Sequence, residues 1–180
     1  MMDLIIGGSG SGKSAYAEEV AIRCANHGQL YYLATMDACG TEGKKRVQRH
    51  RALRQNKGFE TLEQQKQIEN LAEQIEEGAT ILLECVSNLV ANEMFSKDCM
   101  LDSNTVENAV MKGICILQSK TENLIIVTNT VFEDGILYGE TTNAYLSVLG
   151  HVNQRIAKMA ERVIEVTAGI PVVLKKGAFL

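Results

Sequence analysis

The sequence predicts an α/β fold in which a mostly parallel sheet is covered by helices. Short β-rich apolar runs alternate with longer segments of helical periodicity along the 180 residues. Each run is apolar almost throughout, which is typical of parallel strands that are buried on both faces. A glycine-rich segment, GGSGSGKS, directly follows the first run. The predicted strands are 4–6, 30–34, 80–83, 124–128 and 163–166.

Two segments in the first half of the chain have the periodicity of helices that pack on a sheet. Residues 14–26 place Tyr16, Val20 and Cys24 on one stripe. A second stripe, with apolar residues at i, i+3, i+4 and i+7, runs over 68–75. Both segments are therefore predicted to be helices.

Two longer helices are predicted nearer the C-terminus, at 104–120 and 141–161, with Asn104 and Thr141 as their N-caps. The last predicted strand is followed by a tight turn and a returning strand at 172–174, which predicts an antiparallel edge of the sheet. The predicted loops are 35–43, 92–103 and 129–141.

Length and composition limit the class of protein. A chain of 180 residues, 46% of them hydrophobic, can bury one well-filled core, so we expect a single domain over 1–180. A net charge of -4 gives no electrostatic case for nucleic-acid binding by the whole chain. The apolar runs are too short to span a bilayer, and we expect a cytoplasmic protein. Five scattered cysteines, never spaced as zinc-ligand pairs, fit reduced thiols.

The strongest signal is the match of residues 7–14 to the phosphate-loop pattern G-x-x-x-x-G-K-[ST], between a predicted strand and a predicted helix. Glycines let backbone N–H groups turn inward around phosphate oxygens, and the helix N-terminus adds unpaired donors. Lys13 would reach the β- and γ-phosphates, and the Ser14 hydroxyl would bind Mg²⁺. The alternative is a chance glycine-rich turn, which the strand–loop–helix context disfavours.

A second magnesium partner is expected at the end of another buried strand, because ligands bind at the carboxyl ends of strands in open α/β sheets. Glu84 directly follows the predicted strand at 80–83. Asn129, which follows 124–128, is a weaker candidate of the same kind. For Glu84 the alternative is an ordinary solvated carboxylate at a strand end.

A basic segment, KKRVQRHRALRQNK at 44–57, contains seven of the eighteen Lys and Arg residues and no acid. If the segment is helical, Arg46, His50 and Arg54 project from one face. Neighbouring cations lower the pKa of His50, which favours a neutral imidazole that can attack phosphorus while the arginines screen the phosphate charge. A solvated basic face is the alternative. A nucleic-acid stripe is a third reading, weakened because no aromatic residues interleave with the charges.

Taken together, these segments resemble the adenosylcobinamide kinase/adenosylcobinamide-phosphate guanylyltransferase family over nearly the whole chain. The combination is far more specific than the phosphate loop alone. The matching segments, in order, are GGSGSGKS at 7–14, LYYLAT at 30–35, RVQRH at 46–50 with RALR following, ILLEC at 81–85, VTN at 127–129, HVNQRIA at 151–157 and GIPVVLK at 169–175.

The resemblance implies a RecA-like phosphate-loop fold, a homotrimer and a bifunctional enzyme of cobalamin biosynthesis. In the first reaction, a hydroxyl of adenosylcobinamide takes the γ-phosphoryl group of ATP or GTP. In the second, GTP transfers GMP to an active-site histidine and releases pyrophosphate, and the phosphorylated corrinoid then takes up GMP to give adenosylcobinamide-GDP. The implied ligands are a corrinoid, ATP and GTP with Mg²⁺. Neither a nucleic-acid partner nor a membrane span is expected.

Site residues follow from the same resemblance. His50 becomes the guanylylated catalytic histidine, with Lys13 as the second catalytic candidate. Ser14 and Glu84 are the candidate magnesium ligands. Glu63 is a candidate nucleotide contact, with Glu60 as its rival. The full set of candidate nucleotide contacts is Gly7, Gly8, Ser9, Gly10, Ser11, Gly12, Lys13, Ser14, Ala34, Thr35, Met36, Arg51, Ala52, Leu53, Arg54, Glu63 and Glu84.

One segment departs from the family pattern. Many members continue VTN with Glu-Val-Gly and a Gly-Ile-Val-Pro-Glu segment, whereas this chain has Thr130 in place of the acid and then VFEDGILYGE at 131–140. This loop is expected to approach the corrinoid or a neighbouring subunit, so the departure bears on the kinase half more than on the guanylyl half.

Two other classes of protein share the phosphate loop. One is a simple kinase of a small metabolite, in which His50 only helps to bind phosphate. The other is a nucleotide-dependent switch whose activity lies in loop rearrangement. The switch is disfavoured because the chain continues after Asn129 with Thr130 and Val131, without an N-K-x-D guanine-specificity motif.

Overall fold

The computed structural model describes residues 1–26, 28–37, 56–95, 100–131 and 138–177. Within this part of the chain, no helix combines the length and the apolar character needed to cross a membrane. The elements, in chain order, are β1 (Met2–Ile6), α1 (Lys13–Cys24), β2 (Leu30–Ala34), β3 (Glu60–Glu63), a 3₁₀ helix (Ile68–Leu71), β4 (Thr80–Glu84), α2 (Val86–Met94), α3 (Ser103–Lys120), β5 (Asn123–Val127), α4 (Glu140–Met159), β6 (Arg162–Thr167) and β7 (Ile170–Lys175).

The strands form one seven-stranded sheet in the order β3-β2-β4-β5-β1-β6-β7. Neighbouring strands are parallel from β3 to β6, and β7 pairs antiparallel with β6. The register aligns the carboxyl ends of the central strands, since Ala34 lies opposite Glu84 and Glu84 lies opposite Val127. The predicted class, a mostly parallel α/β sheet with an antiparallel C-terminal edge, is confirmed.

Both faces of the sheet are covered, and successive strand residues pack into different layers. Leu4 and Ile126 belong to a core cluster shared with the 3₁₀ helix, α2, α3 and α4. Ile5 and Val127 belong to a second cluster on the opposite face, which α1 covers. This two-sided burial explains why the strands are apolar at consecutive positions.

The predicted strands are confirmed with small shifts at their ends, as are the helices that became α1, α3 and α4. The helix predicted at 68–75 is wrong, because only Ile68–Leu71 form a short 3₁₀ helix. A 3₁₀ turn brings residues i and i+3 to the same side, so it buries Ile68 and Leu71 without a longer helix. The apolar spacing correctly indicated which residues are buried, but it did not indicate a continuous α-helix.

The structure adds two elements that the apolar pattern does not predict. β3 has the sequence ETLE and is mostly exposed, so it carries no buried apolar run. α2 begins two residues after β4 ends. Because its residues Leu89 and Val90 are apolar and buried like those of β4, the apolar pattern did not separate the helix from the strand. The end of α2 and the start of α3 also shorten the loop predicted at 92–103.

The N-caps of the two long helices differ from the prediction. α3 is capped by Asp102 instead of Asn104, because an Asp102 carboxylate oxygen accepts from the backbone N–H of Asn104 at 3.0 Å and of Thr105 at 3.1 Å. Hydrogen bonds from Thr105 lower the pKa of this carboxyl. α4 has Gly139 as its N-cap, and Thr141 lies in the first turn. Residue types that form N-caps also occur in the first turn of a helix. For this reason both N-caps were predicted two positions too late in the chain.

An ion pair between a buried carboxylate and a half-exposed guanidinium group joins β1 to β6. Asp3 is 0% exposed and lies opposite Arg162 in the parallel register. Its carboxylate accepts a hydrogen bond from Nε of Arg162 at 2.9 Å and another from a terminal guanidinium nitrogen. The hydrogen bond with Asp3 raises the pKa of Arg162. Removing the guanidinium would leave a buried carboxylate without its cation, which is costly.

We therefore expect Arg162→Ala to lower the free energy of unfolding by about 3 kcal/mol. Arg155→Ala is the matched control: Arg155 pairs with Glu107 at 2.9 Å, and the Glu107 side chain is 20% exposed whereas that of Asp3 is 0% exposed. Its removal should cost less than about 1 kcal/mol. Guanidinium chloride denaturation followed by circular dichroism measures both losses. Equal losses in the two variants would contradict the stabilising role of the Asp3–Arg162 pair.

Candidate functional site

The phosphate loop lies between β1 and α1, where backbone conformation and close packing both require glycine. Gly12, the N-cap of α1, has φ 92°, a left-handed conformation that glycine adopts without a Cβ clash. A Cβ on Gly7 would lie 2.5 Å from the carbonyl oxygen of Val166 on β6. The N–H of Gly169, in the turn between β6 and β7, donates to the carbonyl of Ser11 at 2.8 Å. The loop is thus held from the neighbouring hairpin.

Two polar side chains of the loop are directed inward. The Lys13 ammonium donates to the carbonyl of Gly8 at 3.0 Å, and burial lowers the pKa of this group while Cys85 and Glu84 oppose the shift. The Ser11 hydroxyl is buried and has no hydrogen-bond partner among the described residues. A buried hydroxyl of this kind fits an acceptor such as a phosphate oxygen, because an unsatisfied buried polar group is otherwise costly.

Ser14, at the start of α1, contacts Glu84 at the end of β4. Its hydroxyl donates to one carboxylate oxygen of Glu84, and the Tyr32 hydroxyl donates to the other at 2.9 Å. The ring of Tyr32 packs edge to face against Phe59, with centroids 6.0 Å apart. The structure therefore brings together the hydroxyl and the carboxylate that the sequence singled out as magnesium ligands.

This pair of oxygen donors fits Mg²⁺, which takes one or two protein ligands and completes its shell with water and phosphate oxygens. Among the described residues, no group of three or more His, Cys, Asp and Glu side chains is arranged so that it could hold a metal ion. Asn129, the weaker candidate, donates its amide to the Ser87 hydroxyl at 2.7 Å.

The segment after β2 is cross-linked to the segment after β4. The buried Thr35 hydroxyl donates to the carbonyl of Cys85 at 2.8 Å and accepts from its N–H at 2.8 Å. The amide of Asn92, on α2, donates to the carbonyl of Thr35 at 2.7 Å and to that of Gln65 at 3.1 Å. These bonds fix the backbone of the candidate contacts Ala34, Thr35 and Met36 beside Glu84.

Glu63 and Glu60 lie at opposite ends of β3. Glu63 ends the strand opposite Ala34, at the same sheet edge as Glu84. Glu60 begins the strand, and its carboxylate accepts from the amide of Gln29 at 2.7 Å. Position in the sheet therefore favours Glu63 as the residue nearer the phosphate loop.

The catalytic candidate His50 and the contacts Arg51, Ala52, Leu53 and Arg54 lie outside the described residues, with the rest of 38–55. The described chain resumes in a turn at 56–58, so the basic segment is not helical to its end. There, Lys57 forms a 2.6 Å ion pair with Glu18, whose side chain is 7% exposed. Glu18 is one helical turn beyond Ser14 on α1, so the end of the basic segment is attached beside the phosphate loop.

Three residues of the site were missed by sequence reasoning: Tyr32, Ser87 and Asn92. Tyr32 was assigned only as an apolar strand residue, although the alternation along β2 places it on the face that α1 covers. Ser87 and Asn92 lie on α2, which the pattern did not predict. Cys85 is buried next to them, and burial raises the pKa of its thiol, which makes it a poor nucleophile.

The glycine-rich loop carries an inward lysine and connects a strand of the parallel sheet to the first helix. A hydroxyl of this helix contacts a carboxylate at the end of another strand. These features define a phosphate-loop nucleotide-binding protein. Residues 3–174 match the family described as cobinamide kinase / cobinamide phosphate guanyltransferase. The chain belongs to this family, and it is accordingly a kinase and a nucleotidyltransferase of cobalamin biosynthesis.

Curated relatives cover the chain almost from end to end. The bifunctional adenosylcobalamin biosynthesis protein CobP of Pseudomonas aeruginosa is 32% identical over 177 residues, which are 97% of this chain and 98% of that protein. The bifunctional adenosylcobalamin biosynthesis protein CobU of Escherichia coli is 28% identical over 185 residues, and that of Salmonella typhimurium 29%, each with 97% of this chain and 100% of the relative covered.

Among solved structures, the flagellar accessory protein FlaH from Methanocaldococcus jannaschii superimposes with a TM-score of 0.51 at 15% sequence identity. The alignment covers 98% of this chain and 78% of that protein. At this identity the similarity concerns the fold alone.

The Thr35 cross-link predicts a stability effect at the site. Thr35→Val removes the hydroxyl while keeping the shape, so the buried N–H of Cys85 loses its partner, whereas the carbonyl of Cys85 still accepts from the N–H of Leu89 at 3.1 Å. We expect a loss of about 2–3 kcal/mol in the free energy of unfolding. Thr35→Ser is the control, because it keeps the hydroxyl and should cost about 1 kcal/mol for the lost methyl group. Urea denaturation measures both, and a Thr35→Ser variant as unstable as Thr35→Val would refute the hydrogen-bond explanation.

Proposed function

We propose that the chain phosphorylates adenosylcobinamide and then transfers GMP from GTP to adenosylcobinamide phosphate through a covalent GMP–His50 intermediate. The observation that supports a nucleoside triphosphate at this site is the convergence of Lys13, the unpartnered Ser11 hydroxyl and the Ser14–Glu84 pair on the phosphate loop. Family membership supports the two reactions. We also propose that residues 1–180 form a single nucleotide-binding domain, since one sheet contains all seven described strands.

The triphosphate binds in the phosphate loop with its anionic oxygens on the Lys13 ammonium, the Ser11 hydroxyl and the N–H groups at the start of α1. The rest of the nucleotide contacts residues at the same sheet edge. These are Ala34 at the end of β2, Thr35 and Met36 directly after it, and Glu63 at the end of β3. Ser14 and Glu84 would hold Mg²⁺, which would stabilise negative charge on the phosphate oxygens. The lowered pKa of Lys13 is offset when a polyanion binds, because the anion favours the charged ammonium.

In the guanylyl half, a neutral imidazole nitrogen of His50 attacks the α-phosphorus of GTP. A nitrogen–phosphorus bond forms, the bond from the α-phosphorus to the bridging oxygen breaks, and pyrophosphate leaves. A phosphate oxygen of adenosylcobinamide phosphate then attacks the same phosphorus, and the imidazole departs. Two successive displacements avoid holding two polyanionic substrates at one centre together.

Two features support His50 in this role. It is the histidine of the basic segment, whose arginines would screen the phosphate charge. The Lys57–Glu18 pair attaches the end of that segment to α1, one turn beyond Ser14. Arg51, Ala52, Leu53 and Arg54 directly follow the histidine and contribute further nucleotide contacts.

We also propose a homotrimer. The family resemblance supports this assembly. The exposed apolar surface of the edge strand β7 also favours an interface with another chain. Four apolar side chains of β7 are strongly exposed: Ile170 at 66%, Val172 at 47%, Val173 at 47% and Leu174 at 55%. Exposed apolar edge strands are prone to pair with other chains, so contact with another copy of this chain fits this surface.

The covalent step is tested by labelling with α-³²P-GTP. His50→Ala should fold normally and lose the acid-labile label, because the nitrogen that forms the bond to phosphorus is gone. His151→Ala is the matched control: this histidine lies on α4, with Nδ1 3.6 Å from Glu107, and its removal should leave labelling unchanged.

Full labelling of the His50→Ala protein would eliminate the proposed intermediate. A wild-type protein that phosphorylates the corrinoid but takes up no label would be a simple kinase instead. Nucleotide turnover without dependence on a corrinoid would indicate a switch. Lys13→Ala should weaken both half-reactions, since both use the phosphate loop.

The magnesium assignment is tested through Tyr32, which orients Glu84 without contacting the metal. Tyr32→Phe should raise the Mg²⁺ concentration at half-maximal activity about tenfold, because partners that orient a metal ligand typically affect affinity on this scale. Tyr31→Phe is the control, since its hydroxyl lies 3.5 Å from the carbonyl of Gln74 on the other face of the sheet. An unchanged magnesium titration in folded Tyr32→Phe would refute this positioning role.

A further inference from the structure

An open cavity of about 540 Å³ lies beside the tip of the phosphate loop, on the face of the sheet opposite α1. One wall is Ser9 of the loop, and another is formed by Thr130 and Val131, which follow β5. The remaining walls come from Tyr138 and the first turns of α4. The N–H of Thr130 donates to the carbonyl of Gly7 at 3.3 Å, so the cavity and the loop share a wall.

The described residues that line the cavity are a mixture of apolar and hydroxyl-bearing side chains, and none of them carries a charge. Leu146 and the ring of Tyr145 supply apolar surface, while Ser9, Thr130 and Thr142 supply hydroxyl groups. The Tyr145 ring is fixed, because its hydroxyl donates to the carbonyl of Ser87 at 3.2 Å, and burial raises the pKa of this hydroxyl to about 12. Such a surface suits an uncharged ligand with amide and hydroxyl groups on an apolar frame.

The position of the cavity matches the geometry of phosphoryl transfer. The attacking and leaving oxygens lie roughly in line on either side of the transferred phosphorus. The candidate nucleotide contacts on β2, β3 and β4 lie to one side of the phosphate loop, since the sheet order is β3-β2-β4-β5-β1. The cavity lies beyond the carboxyl ends of β5 and β1, because Thr130 and Ser9 line it, so an acceptor inside it faces the loop from the other side.

The geometry points to this cavity as the acceptor subsite, which takes the uncharged, hydroxyl-bearing arm of the corrinoid and presents its hydroxyl to the terminal phosphate. This assignment rests on the proposed kinase function of the same site. The acceptor oxygen forms a bond to the γ-phosphorus, the bond to the bridging oxygen of the nucleotide breaks, and the hydroxyl proton leaves to solvent. A volume of about 540 Å³ holds the arm and part of the ring edge, and the rest of the macrocycle stays outside.

A neighbouring cavity provides the internal comparison. It has a volume of about 580 Å³, shares Thr130 and Leu146 with the first, and extends along α4 past Ser147 towards Leu174 of β7. It does not include Ser9. A ligand confined to this second cavity therefore does not reach the tip of the phosphate loop.

The test fills each cavity in turn and measures the kinase reaction with cobinamide and ATP. Thr142→Trp places an indole in the subsite and should raise the KM for cobinamide at least tenfold, with the KM for ATP unchanged. Val131→Asp, at an exposed position, adds a charge to the same wall without disturbing the core, and should act in the same direction. Ser147→Trp, in the neighbouring cavity, and Asn108→Trp, exposed on α3, should leave both KM values near those of the wild type.

Three results would overturn the assignment. The first is an unchanged cobinamide KM in Val131→Asp or in folded Thr142→Trp, and the second is an equal rise in the KM for ATP. The third is a larger effect of Ser147→Trp, which would move the acceptor to the second cavity. Equilibrium dialysis of cobinamide, which the corrin chromophore makes visible, repeats the comparison without turnover. The labelling reaction with GTP needs no corrinoid. A wild-type protein that takes up no label would therefore reject the histidine intermediate without affecting the assignment of the acceptor subsite.

Discussion

The contact between the Ser14 hydroxyl and the Glu84 carboxylate is the interaction on which the arrangement of this site depends. It connects the first helix to β4, and the Tyr32 hydroxyl, on the neighbouring strand β2, donates to the second oxygen of the same carboxylate. The three groups can meet because parallel strands end at one edge of the sheet, where the first helix begins. A carboxylate fixed by two donors on two elements has little freedom to rotate, so its position relative to the phosphate loop is set before any ligand binds.

Around this contact, the segments after the strands are joined by buried hydrogen bonds instead of being left as free loops. Thr35 satisfies both backbone groups of Cys85, and Asn92 reaches the segments after β2 and after β3. Buried polar groups that are fully satisfied make a structure rigid and unique. The edge that receives the nucleotide is therefore preorganised, which reduces the entropy lost when the ligand binds.

Much of the fold was predictable because its signals are local. Apolar runs mark strands that are buried on both faces, and the glycine spacing marks the phosphate loop. β3 was missed because an exposed edge strand needs no apolar residues, and α2 because it continues directly from the apolar β4. In the site, Lys13, Ser14 and Glu84 follow from the motif and from the end of a strand. Tyr32 and Asn92 do not, because their partners are 52 and 57 positions away in the chain and only the strand order brings them together.

The turn between β6 and β7 has a consequence for assembly. Its Gly169 N–H holds the carbonyl of Ser11, while the outer edge of the same hairpin exposes a row of apolar side chains. Any subunit that docks on β7 and alters the hairpin changes the phosphate loop with it. If such docking changes the affinity for the nucleotide, thermodynamic reciprocity requires that nucleotide binding change the affinity for the docked subunit by the same factor. The hairpin thus provides a physical connection through which a contact on β7 would act on the phosphate loop.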